Sequence, residues 1–209
     1  MMEKQIVFRE YQQTDSAALE AVIRQTWHYD ELCSPKTAAK LAQVYLYACL
    51  ANQTYTQVAL ADGVPVGIIM GKNCRTHRCP LRLRMKTLAS VISLCITGEG
   101  RKVLKIFGCV ESIDKELLKR SGKDYMGELA FFAVDSSRRN QGIGTKLFQK
   151  TAEYFVSEGI REFYLFTDTS CNYRFYEHQG MVRRGEKEHT FKHENQIGKM
   201  TFFLYDCRI

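Results

Sequence analysis

The sequence lacks any long hydrophobic run without charges. No uncharged apolar segment reaches the roughly 18 residues that are needed to cross a bilayer, so no membrane span is expected. Residues 1–11 contain Glu3, Lys4 and Arg9, which predicts that no secretory signal is present. Without such a signal, the eight cysteines are expected to be reduced and mostly buried thiols in a cytoplasmic protein.

Several catalytic and ligand-binding motifs are missing as well. No Gly-Lys-Ser/Thr triplet completes a Walker loop, and no Gly-x-Ser-x-Gly segment forms a nucleophile elbow. The five histidines form no recognisable nucleophile or metal set. Cys74, His77 and Cys79 resemble a metal corner, but a second ligand pair at zinc-finger spacing is absent. The sequence therefore predicts no metal site.

What is present predicts one ordered domain over residues 1–209, because the chain is 45% hydrophobic and has no low-complexity tract. The predicted order is β-α-α-β-β-(insertion)-β-α-β-α-β-β. Ser34-Pro35 has the pattern of a cap followed by a proline that opens a helix, and Asp62-Gly63 is a hairpin signal. The predicted strands are 6–11, 54–61, 64–70, 128–134, 162–167, 181–191 and 199–207.

A glycine-containing loop joins a predicted strand to a predicted helix. The strand is Glu128–Val134, the loop reads Arg-Asn-Gln-Gly-Ile-Gly over residues 139–144, and apolar residues then recur at helical spacing. Two glycines one residue apart allow a tight turn and leave amides uncovered. Amides at a helix N-terminus, supported by the helix dipole, form a site for phosphate. The loop therefore predicts a phosphorylated cofactor. The dinucleotide-binding fingerprint is excluded, since it needs a third glycine where Leu147 stands.

The loop fits the pattern Arg/Gln-x-x-Gly-x-Gly/Ala, which resembles the acyl-CoA loop of the GNAT (Gcn5-related N-acetyltransferase) superfamily. Residues 134–139 resemble the strand end that precedes this loop in the family, although Ser136 replaces the usual proline. Residues 172–181 resemble the second family motif, a short helix that ends Tyr-Glu-x-x-Gly. The resemblance implies an α/β (α+β) acyl-CoA N-acyltransferase fold. In that fold helices flank a mixed, mostly antiparallel sheet whose fourth and fifth strands splay apart around the cofactor.

The resemblance implies acetyl-CoA as the cofactor and indicates which residues bind it. Backbone amides of Gln141–Thr145 should meet the diphosphate, and the backbone around Phe132–Val134 should pair with the pantetheine arm. Arg139 either positions the loop, meets a phosphate or forms a surface salt bridge. Family members often have an asparagine seven residues before the catalytic tyrosine, where this chain has Thr169, so Thr169 and Asn172 both remain candidates. The predicted cofactor-binding residues are Phe132, Ala133, Val134, Arg139, Asn140, Gln141, Gly142, Ile143, Gly144, Thr145, Thr169, Asn172 and Phe175.

Two catalytic residues follow from the same resemblance. Tyr176 stands where family members have a tyrosine that protonates the sulfur of coenzyme A, and a phenol pKa of about 10 keeps this proton in place at neutral pH. Tyr173 is an alternative donor three residues earlier. Glu128 corresponds to the glutamate base of histone-acetylating members. It lies six residues before Val134, so both side chains are expected on one face of the strand. The alternative is a structural glutamate bonded to a nearby loop.

The insertion at about residues 72–124 carries all of the positive excess. It has 13 basic and 5 acidic residues, a net of +8, whereas the remaining 17 basic and 18 acidic residues give −1. Apolar spacing predicts two helices, separated by Gly98-Glu99-Gly100. Three interpretations stay open: a helical pair packed on the sheet or on a second subunit, a basic lid that favours anionic acceptors, or a surface for nucleic acid or membrane. The basic stretch has no interleaved aromatic residues, which disfavours a platform for single-stranded nucleic acid.

The sequence therefore predicts an acetyl-CoA-dependent N-acetyltransferase. Its acceptor is a primary amine of a small molecule or a protein, and a homodimer is a further expectation from the resemblance. A basic lid would speak against polyamines as acceptors, because like charges repel. The alternative is a catalytically silent protein that binds coenzyme A and uses the basic insertion for interactions.

Overall fold

A computed structural model describes residues 6–193 and 196–209, with the side chains of 192, 193, 196 and 197 left aside. Seven strands form one sheet in the order β1-β2-β3-β4-β5-β7-β6. All neighbouring pairs are antiparallel except β4 and β5, which run parallel. The strands are β1 Ile6–Arg9, β2 Tyr55–Ala61, β3 Val64–Asn73, β4 Gly127–Val134, β5 Glu162–Asp168, β6 Val182–His193 and β7 Gln196–Arg208.

Helices cover both faces of this sheet. The helices are α1 Ser16–Thr26, α2 Tyr29–Leu32, α3 Pro35–Ala51, α4 Leu81–Cys95, α5 Gly98–Ser121, α6 Ile143–Ser157 and α7 Arg174–His178. Helices α1 and α3 pack on one face around Ile68, Met70 and Phe131. Helix α6 covers the other face around Ile69 and Leu129. This mixed, mostly antiparallel sheet between helices is the predicted fold class.

The predicted element order is confirmed, and two local signals act as expected. Asp62 and Gly63 both have positive φ, 51° and 80°, and turn β2 into β3. Pro35 opens α3 directly after Ser34. The short helix α2 was not predicted, because four residues are too few to show a helical period.

Strands β4 and β5 separate soon after they meet. Only Gly127 and Glu128 of β4 pair with Phe163 and Tyr164 of β5. The remainder of β4 keeps its partner β3 on one side and has no strand partner on the side of β5. The predicted splay of the fourth and fifth strands is therefore present, and it opens the sheet at its centre.

The insertion forms two helices that pack on their own chain. Leu94 of α4 and Val103 of α5 join the core beside α3, while Ile113 and Leu117 of α5 pack over β5 and β7. The prediction that residues 98–100 separate the helices was wrong. They form the first turn of α5, where Thr97 accepts a hydrogen bond from the Gly100 amide. Glycine is required at 100, since a Cβ there would lie 2.1 Å from a backbone oxygen.

The prediction about the thiols was also only half right. All eight cysteines are free, but only Cys49 is buried, while Cys74, Cys79 and Cys95 are exposed. The exposed thiols lie at the end of β3 and in the insertion, where helix periodicity alone did not reveal which face meets the core. Among the described residues, no helix is both long and apolar enough to span a membrane.

Candidate functional site

A cavity of about 420 Å³ opens at the splay of the sheet, beside the glycine-containing loop, and we call it the loop cavity. Strand β4, the N-terminus of α6, the segment after β5 and helix α7 form its walls. Its lining residues are Thr26, Trp27, Phe132, Ala133, Val134, Arg138, Arg139, Asn140, Gly142, Ile143, Gly144, Thr145, Ser170, Cys171, Asn172, Phe175 and Tyr176.

The N-terminus of α6 presents free amides to this cavity. Gly142 caps the helix with φ of 74°, a left-handed conformation that glycine adopts at low cost. The first helical hydrogen bond runs from the Lys146 amide to the Gly142 carbonyl at 3.0 Å. Within the described chain, the amides of residues 143–145 therefore have no hydrogen-bond acceptor. Such amides, at the positive end of the helix dipole, suit an anion.

Two arginines reinforce the positive potential at this end of α6. Arg138 and Arg139 both line the loop cavity, and neither forms an ion pair with any residue that the structure describes. The surface salt bridge considered for Arg139 is therefore not found. Guanidinium groups bind phosphate in a bidentate manner, so free amides together with two unpaired guanidinium groups fit a phosphorylated ligand.

Gly144 leaves space in the loop cavity because it has no side chain. A Cβ at this position would lie 3.4 Å from the ring of Phe132 and 3.5 Å from the ring of Phe175. The two rings lie 5.5 Å apart between their centroids and form an apolar wall beside the amides. Any side chain longer than a methyl group at Gly144 would therefore compete with a ligand for this space.

Tyr176 projects from α7 at the boundary of the loop cavity. Its side chain is 9% exposed and its ring packs against Phe175 at 5.5 Å. In the described structure its hydroxyl has no hydrogen-bond partner. Burial raises the pKa of Tyr176, and the neighbouring Cys171 and Asp168 raise it further. The phenol is therefore protonated at neutral pH and has a proton available for a ligand.

A second cavity of about 210 Å³ lies against the same tyrosine, and we call it the acidic cavity. Both cavities are lined by Trp27, Phe132, Cys171 and Tyr176. Three carboxylates and no lysine or arginine line the acidic cavity. Its lining residues are Trp27, Tyr45, Val110, Asp114, Glu128, Leu129, Ala130, Phe131, Phe132, Phe166, Thr167, Asp168, Cys171, Tyr176 and Phe202.

Glu128 reaches the acidic cavity from the start of β4. Its carboxylate lies 3.3 Å from the ammonium of Lys72 on β3 and accepts a hydrogen bond from it. This ion pair holds the carboxylate in place where it borders the cavity. The ion pair joins Glu128 to the neighbouring strand β3 and not to a loop.

The prediction that Glu128 and Val134 share a face of β4 was wrong. Met70 pairs with Phe131 and Gly71 pairs with Leu129, so Ala130 is an extra residue in β4. This β-bulge reverses the alternation, and the side chain of Val134 packs with the α6 face instead. The bulge is what allows β4 to contribute Glu128 to one cavity and Phe132 to both.

Asp114 and Asp168 complete the acidic cavity, and sequence reasoning missed both. Asp114 comes from α5, and it forms neither an ion pair nor a hydrogen bond within the described part of the chain. Burial, together with repulsion from Asp168 and Glu128, raises its pKa to about 7. Asp168 ends β5 and accepts hydrogen bonds from the amide and hydroxyl of Ser170. The insertion contributes Val110 and Asp114 to the lining of this cavity and no lysine or arginine, which does not favour the basic-lid interpretation.

Two predicted cofactor residues and one alternative acid lie outside the cavities. Gln141 lines neither cavity. Thr169 forms a backbone hydrogen bond with Thr201 of β7, which leaves Asn172 as the candidate on the cavity wall. Tyr173 packs against Phe203 at 5.0 Å and lines neither cavity, so it does not compete with Tyr176.

The residues that sequence reasoning missed come mostly from outside the two motifs. Trp27 follows α1 and stacks on Phe131 at 5.7 Å, which places it between the cavities. Cys171 precedes the second motif, and Arg138 precedes the first. Arg138 alone had a sequence signal, since it adjoins Arg139 in the loop segment. Within residues 6–193 and 196–209, apart from the four side chains left aside, no group of three or more metal-ligating side chains occurs.

Solved structures of acetyltransferases share this fold. The chain is similar to an N-acetyltransferase from Staphylococcus aureus Mu50, with a TM-score of 0.55, 13% identity and 98% of both chains covered. A GNAT-family acetyltransferase from Streptococcus pneumoniae gives a TM-score of 0.54 and 17% identity over 98% of this chain and 100% of that one. A ribosomal-protein-alanine N-acetyltransferase from Brucella melitensis gives a TM-score of 0.57 and 13% identity, with 97% of this chain and 99% of that chain covered.

These identities are too low to carry more than the fold, and a comparison with curated protein sequences finds no match. A family model decides the relationship. The model for the acetyltransferase (GNAT) family matches residues 19–181, well over half of the chain. Enzymes of this family take the acetyl group from acetyl-CoA and pass it to an acceptor. The chain therefore belongs to the GNAT family of acetyltransferases.

Proposed function

We propose that the protein is an acetyl-CoA-dependent N-acetyltransferase that acts on a primary amine of a small molecule or a protein. The observation that carries this proposal is the meeting of two chemically different cavities at Tyr176. The loop cavity has the free amides and arginines that suit a phosphorylated donor, and the acidic cavity has the carboxylates that suit a cationic amine.

The loop cavity is the proposed donor site. The amides of Ile143, Gly144 and Thr145 bind the diphosphate, and Arg138 and Arg139 neutralise the remaining phosphate charge. The edge of β4 over residues 132–134 has no strand partner on the side of β5, so its free backbone groups can pair with the pantetheine arm. Asn172 and Phe175 form the opposite wall. Acetyl-CoA supplies the acetyl group as a thioester, which an amine can attack directly.

Glu128 is the proposed base. An amine enters the acidic cavity as an ammonium ion and must lose a proton before its nitrogen can attack. The carboxylate of Glu128, fixed by Lys72, accepts this proton directly or through a water molecule. A base that is held by an ion pair keeps its orientation while the acceptor binds.

Tyr176 is the proposed acid. As the nitrogen–carbon bond forms, the carbon–sulfur bond breaks and the thiolate takes the phenolic proton of Tyr176. The amine loses two protons in all: one leaves through Glu128 to solvent, and the other restores the Tyr176 hydroxyl. The hydroxyl lines both cavities and has no hydrogen-bond partner among the described residues, which supports the role because its proton is not engaged elsewhere.

The proposal is tested by two measurements on the same preparation. Acetyl-CoA is expected to raise the melting temperature, and a panel of amines is expected to release free thiol from acetyl-CoA. Stabilisation without thiol release from any amine would support the silent coenzyme A-binding alternative instead. An absence of both signals would contradict the proposed donor site.

A further inference from the structure

We propose that the acceptor is a small amine with a second positive charge, held in the acidic cavity by Asp114 and Asp168 while its reacting nitrogen faces Glu128. This inference rests on the proposed function and names the substrate class of the same site. A basic lid, one of the three interpretations of the insertion, would instead have disfavoured polycationic acceptors.

The charge balance of the acidic cavity carries the argument. Lys72 compensates Glu128 at 3.3 Å. Asp114 and Asp168 have no cationic partner among the residues that the structure describes, and no lysine or arginine lines the cavity. Two uncompensated carboxylates in a partly buried space repel each other, and a dication entering the cavity would relieve this repulsion.

The apolar part of the cavity also suits a cation. Trp27, Tyr45, Phe131, Phe166 and Phe202 line it, and the faces of aromatic rings attract ammonium groups. The volume of about 210 Å³ accommodates a short alkyl chain more readily than a bulky acceptor. Carboxylates between aromatic rings therefore match an alkyl diamine in both charge and shape.

An observation independent of the carboxylates indicates a ligand at this place. The Tyr176 side chain is 9% exposed and lines the cavity, yet its hydroxyl has no partner within the described residues. The ring is enclosed while the hydroxyl is open to the cavity, so a ligand or water that enters there can complete its hydrogen bonding. Its position between both cavities places the missing partner where the donor and the acceptor would meet.

The test compares three amines of matched length: 1-butylamine, 1,4-diaminobutane and 4-aminobutanoate. They carry one positive charge, two positive charges, and one charge of each sign. In the assay for free thiol, the KM for 1,4-diaminobutane should be at least about ten-fold below the KM for 1-butylamine, and the KM for 4-aminobutanoate should be the highest of the three.

The variant Asp114→Asn should reduce the ratio of the KM for 1-butylamine to the KM for 1,4-diaminobutane by about ten-fold. Glu111→Gln, on the same helix but outside the cavity, should leave the ratio within about two-fold.

The possible outcomes distinguish a failure of the diamine proposal from a failure of the proposed acetyl transfer. Equal or better use of 1-butylamine or 4-aminobutanoate would overturn the inference and leave acetyl transfer intact. Stabilisation by acetyl-CoA with neither turnover nor binding of 1,4-diaminobutane would overturn the inference and leave donor binding intact. An absence of stabilisation by acetyl-CoA and of any thiol release would overturn the proposed function itself.

A different observation carries a second inference, about the exposed face of α4. A stripe of large apolar side chains runs along this face, and every member is more than half exposed. The stripe, which we call the α4 stripe, consists of Leu81, Met85, Leu88, Ile92 and Ile96, the last directly after the helix. The other face of α4 packs on α3 through Leu83, Val91 and Leu94. Helix α4 is thus apolar on two sides, and only one side is covered.

The charges beside the α4 stripe indicate what covers it. Helix α4 contains Arg82, Arg84 and Lys86 and no acidic residue. At about 100° per residue, Arg82 and Arg84 fall on opposite edges of the stripe. An apolar stripe bordered by cations on both sides is typical of a helix that lies in the interface of an anionic membrane. A second copy is disfavoured, since pairing would bring together two insertions that each carry a net charge of +8.

We infer that the α4 stripe docks on an anionic lipid surface. Sedimentation with vesicles should recover the protein with phosphatidylcholine–phosphatidylglycerol mixtures and not with phosphatidylcholine alone. The double variant Leu88→Gln/Ile92→Gln should lose at least about ten-fold in vesicle affinity. Val156→Gln, which replaces an exposed apolar residue of α6, is the matched control and should bind as the parent does.

Other results would overturn this inference. A dimer that the double variant abolishes, without vesicle binding, would assign the stripe to a second copy. Retention on DNA or RNA without vesicle binding would assign the charges to nucleic acid. A protein that stays monomeric and unbound in every assay would show that the stripe has no such partner.

Discussion

Lys72 of β3 and Glu128 of β4 face each other across the central sheet, with 3.3 Å between the ammonium nitrogen and the nearer carboxylate oxygen. This pair holds the proposed base at the entrance to the splay, at the last point where β4 still pairs with β5. Beyond it, the two strands separate and the cavities begin. The pair therefore connects the backbone feature that opens the sheet with the side chain assigned to proton removal.

The first prediction concerns this base. Glu128→Gln keeps an oxygen to accept from Lys72 but removes the basic carboxylate. Turnover at neutral pH should fall by roughly 10²- to 10⁴-fold, with a smaller effect on the KM for acetyl-CoA. Steady-state thiol release measures both constants. Glu188→Gln, at an exposed ion pair with Lys199 on the far strands, serves as control. Full turnover in the Glu128 variant would remove this residue from the mechanism.

The second prediction concerns the proposed acid. Tyr176→Phe removes a hydroxyl that has no partner in the described structure, so the free energy of unfolding should change by less than about 1 kcal/mol. Turnover should nevertheless fall by about 10²-fold or more. Denaturant unfolding and thiol release separate the two effects. Tyr173→Phe, whose ring packs on Phe203, should retain activity. The assignment fails if the two variants are equally active.

The third prediction separates the two glycines of the loop. Gly144→Leu should abolish stabilisation by acetyl-CoA, because its side chain would fill the space beside Phe132 and Phe175. Gly142→Ala has room for its methyl group but must adopt φ of 74°, so it should lose about 1–2 kcal/mol of folding stability. Thermal unfolding with and without acetyl-CoA distinguishes the two effects.

Gly108→Ala in α5 is the control for both variants, since a Cβ there meets open space. It should be neutral or slightly stabilising, as alanine is favoured within helices. Undiminished binding of acetyl-CoA by Gly144→Leu would place the donor elsewhere.

The fourth prediction concerns the pH dependence of stability. Burial raises the pKa of Asp114 from 3.8 to about 7, with contributions from Asp168, Glu128 and Glu111; the tyrosines that face it, Tyr45 and Tyr164, stay neutral in this range. A raised pKa means that the folded state binds this proton more tightly. The associated stability is present at low pH and is lost as the pH rises from about 4 to about 7.

Asp114→Asn removes the group whose ionisation lowers the stability as the pH rises. The variant should exceed the parent in unfolding free energy by about 2 kcal/mol at pH 8, and the difference should shrink towards pH 4. Urea unfolding at a series of pH values checks the sign and the size. A difference that is constant with pH, or that grows on acidification, would contradict the burial of this carboxylate.

The fold was largely predictable because local chemistry and tertiary structure agree along most of the chain. Asp62-Gly63 strongly favours a tight hairpin turn. Ser34-Pro35 favours the start of a helix, because the fixed φ of proline suits the first helical position. The loop at 139–144 combines the glycines with the helix that follows, so its amides were located without any tertiary information. These features depend on a few consecutive residues.

The acceptor side depends on tertiary relationships that one sequence does not display. The bulge at Ala130 arises from the pairing of β3 with β4, and no proline or glycine marks it. Asp114 belongs to a segment whose net charge is +8, and only the packing of α5 reveals that this acid faces the cavity. The net charge of this segment left a basic lid open as one of three interpretations, whereas the side chains that it contributes to the cavity wall are Val110 and Asp114.

The most direct test of the donor site is a crystal structure of the protein with coenzyme A. The account predicts the diphosphate within hydrogen-bonding distance of the amides of Ile143, Gly144 and Thr145, the pantetheine arm along residues 132–134 of β4, and the sulfur next to the Tyr176 hydroxyl. A ligand bound at another surface, or a diphosphate that avoids the first turn of α6, would contradict it.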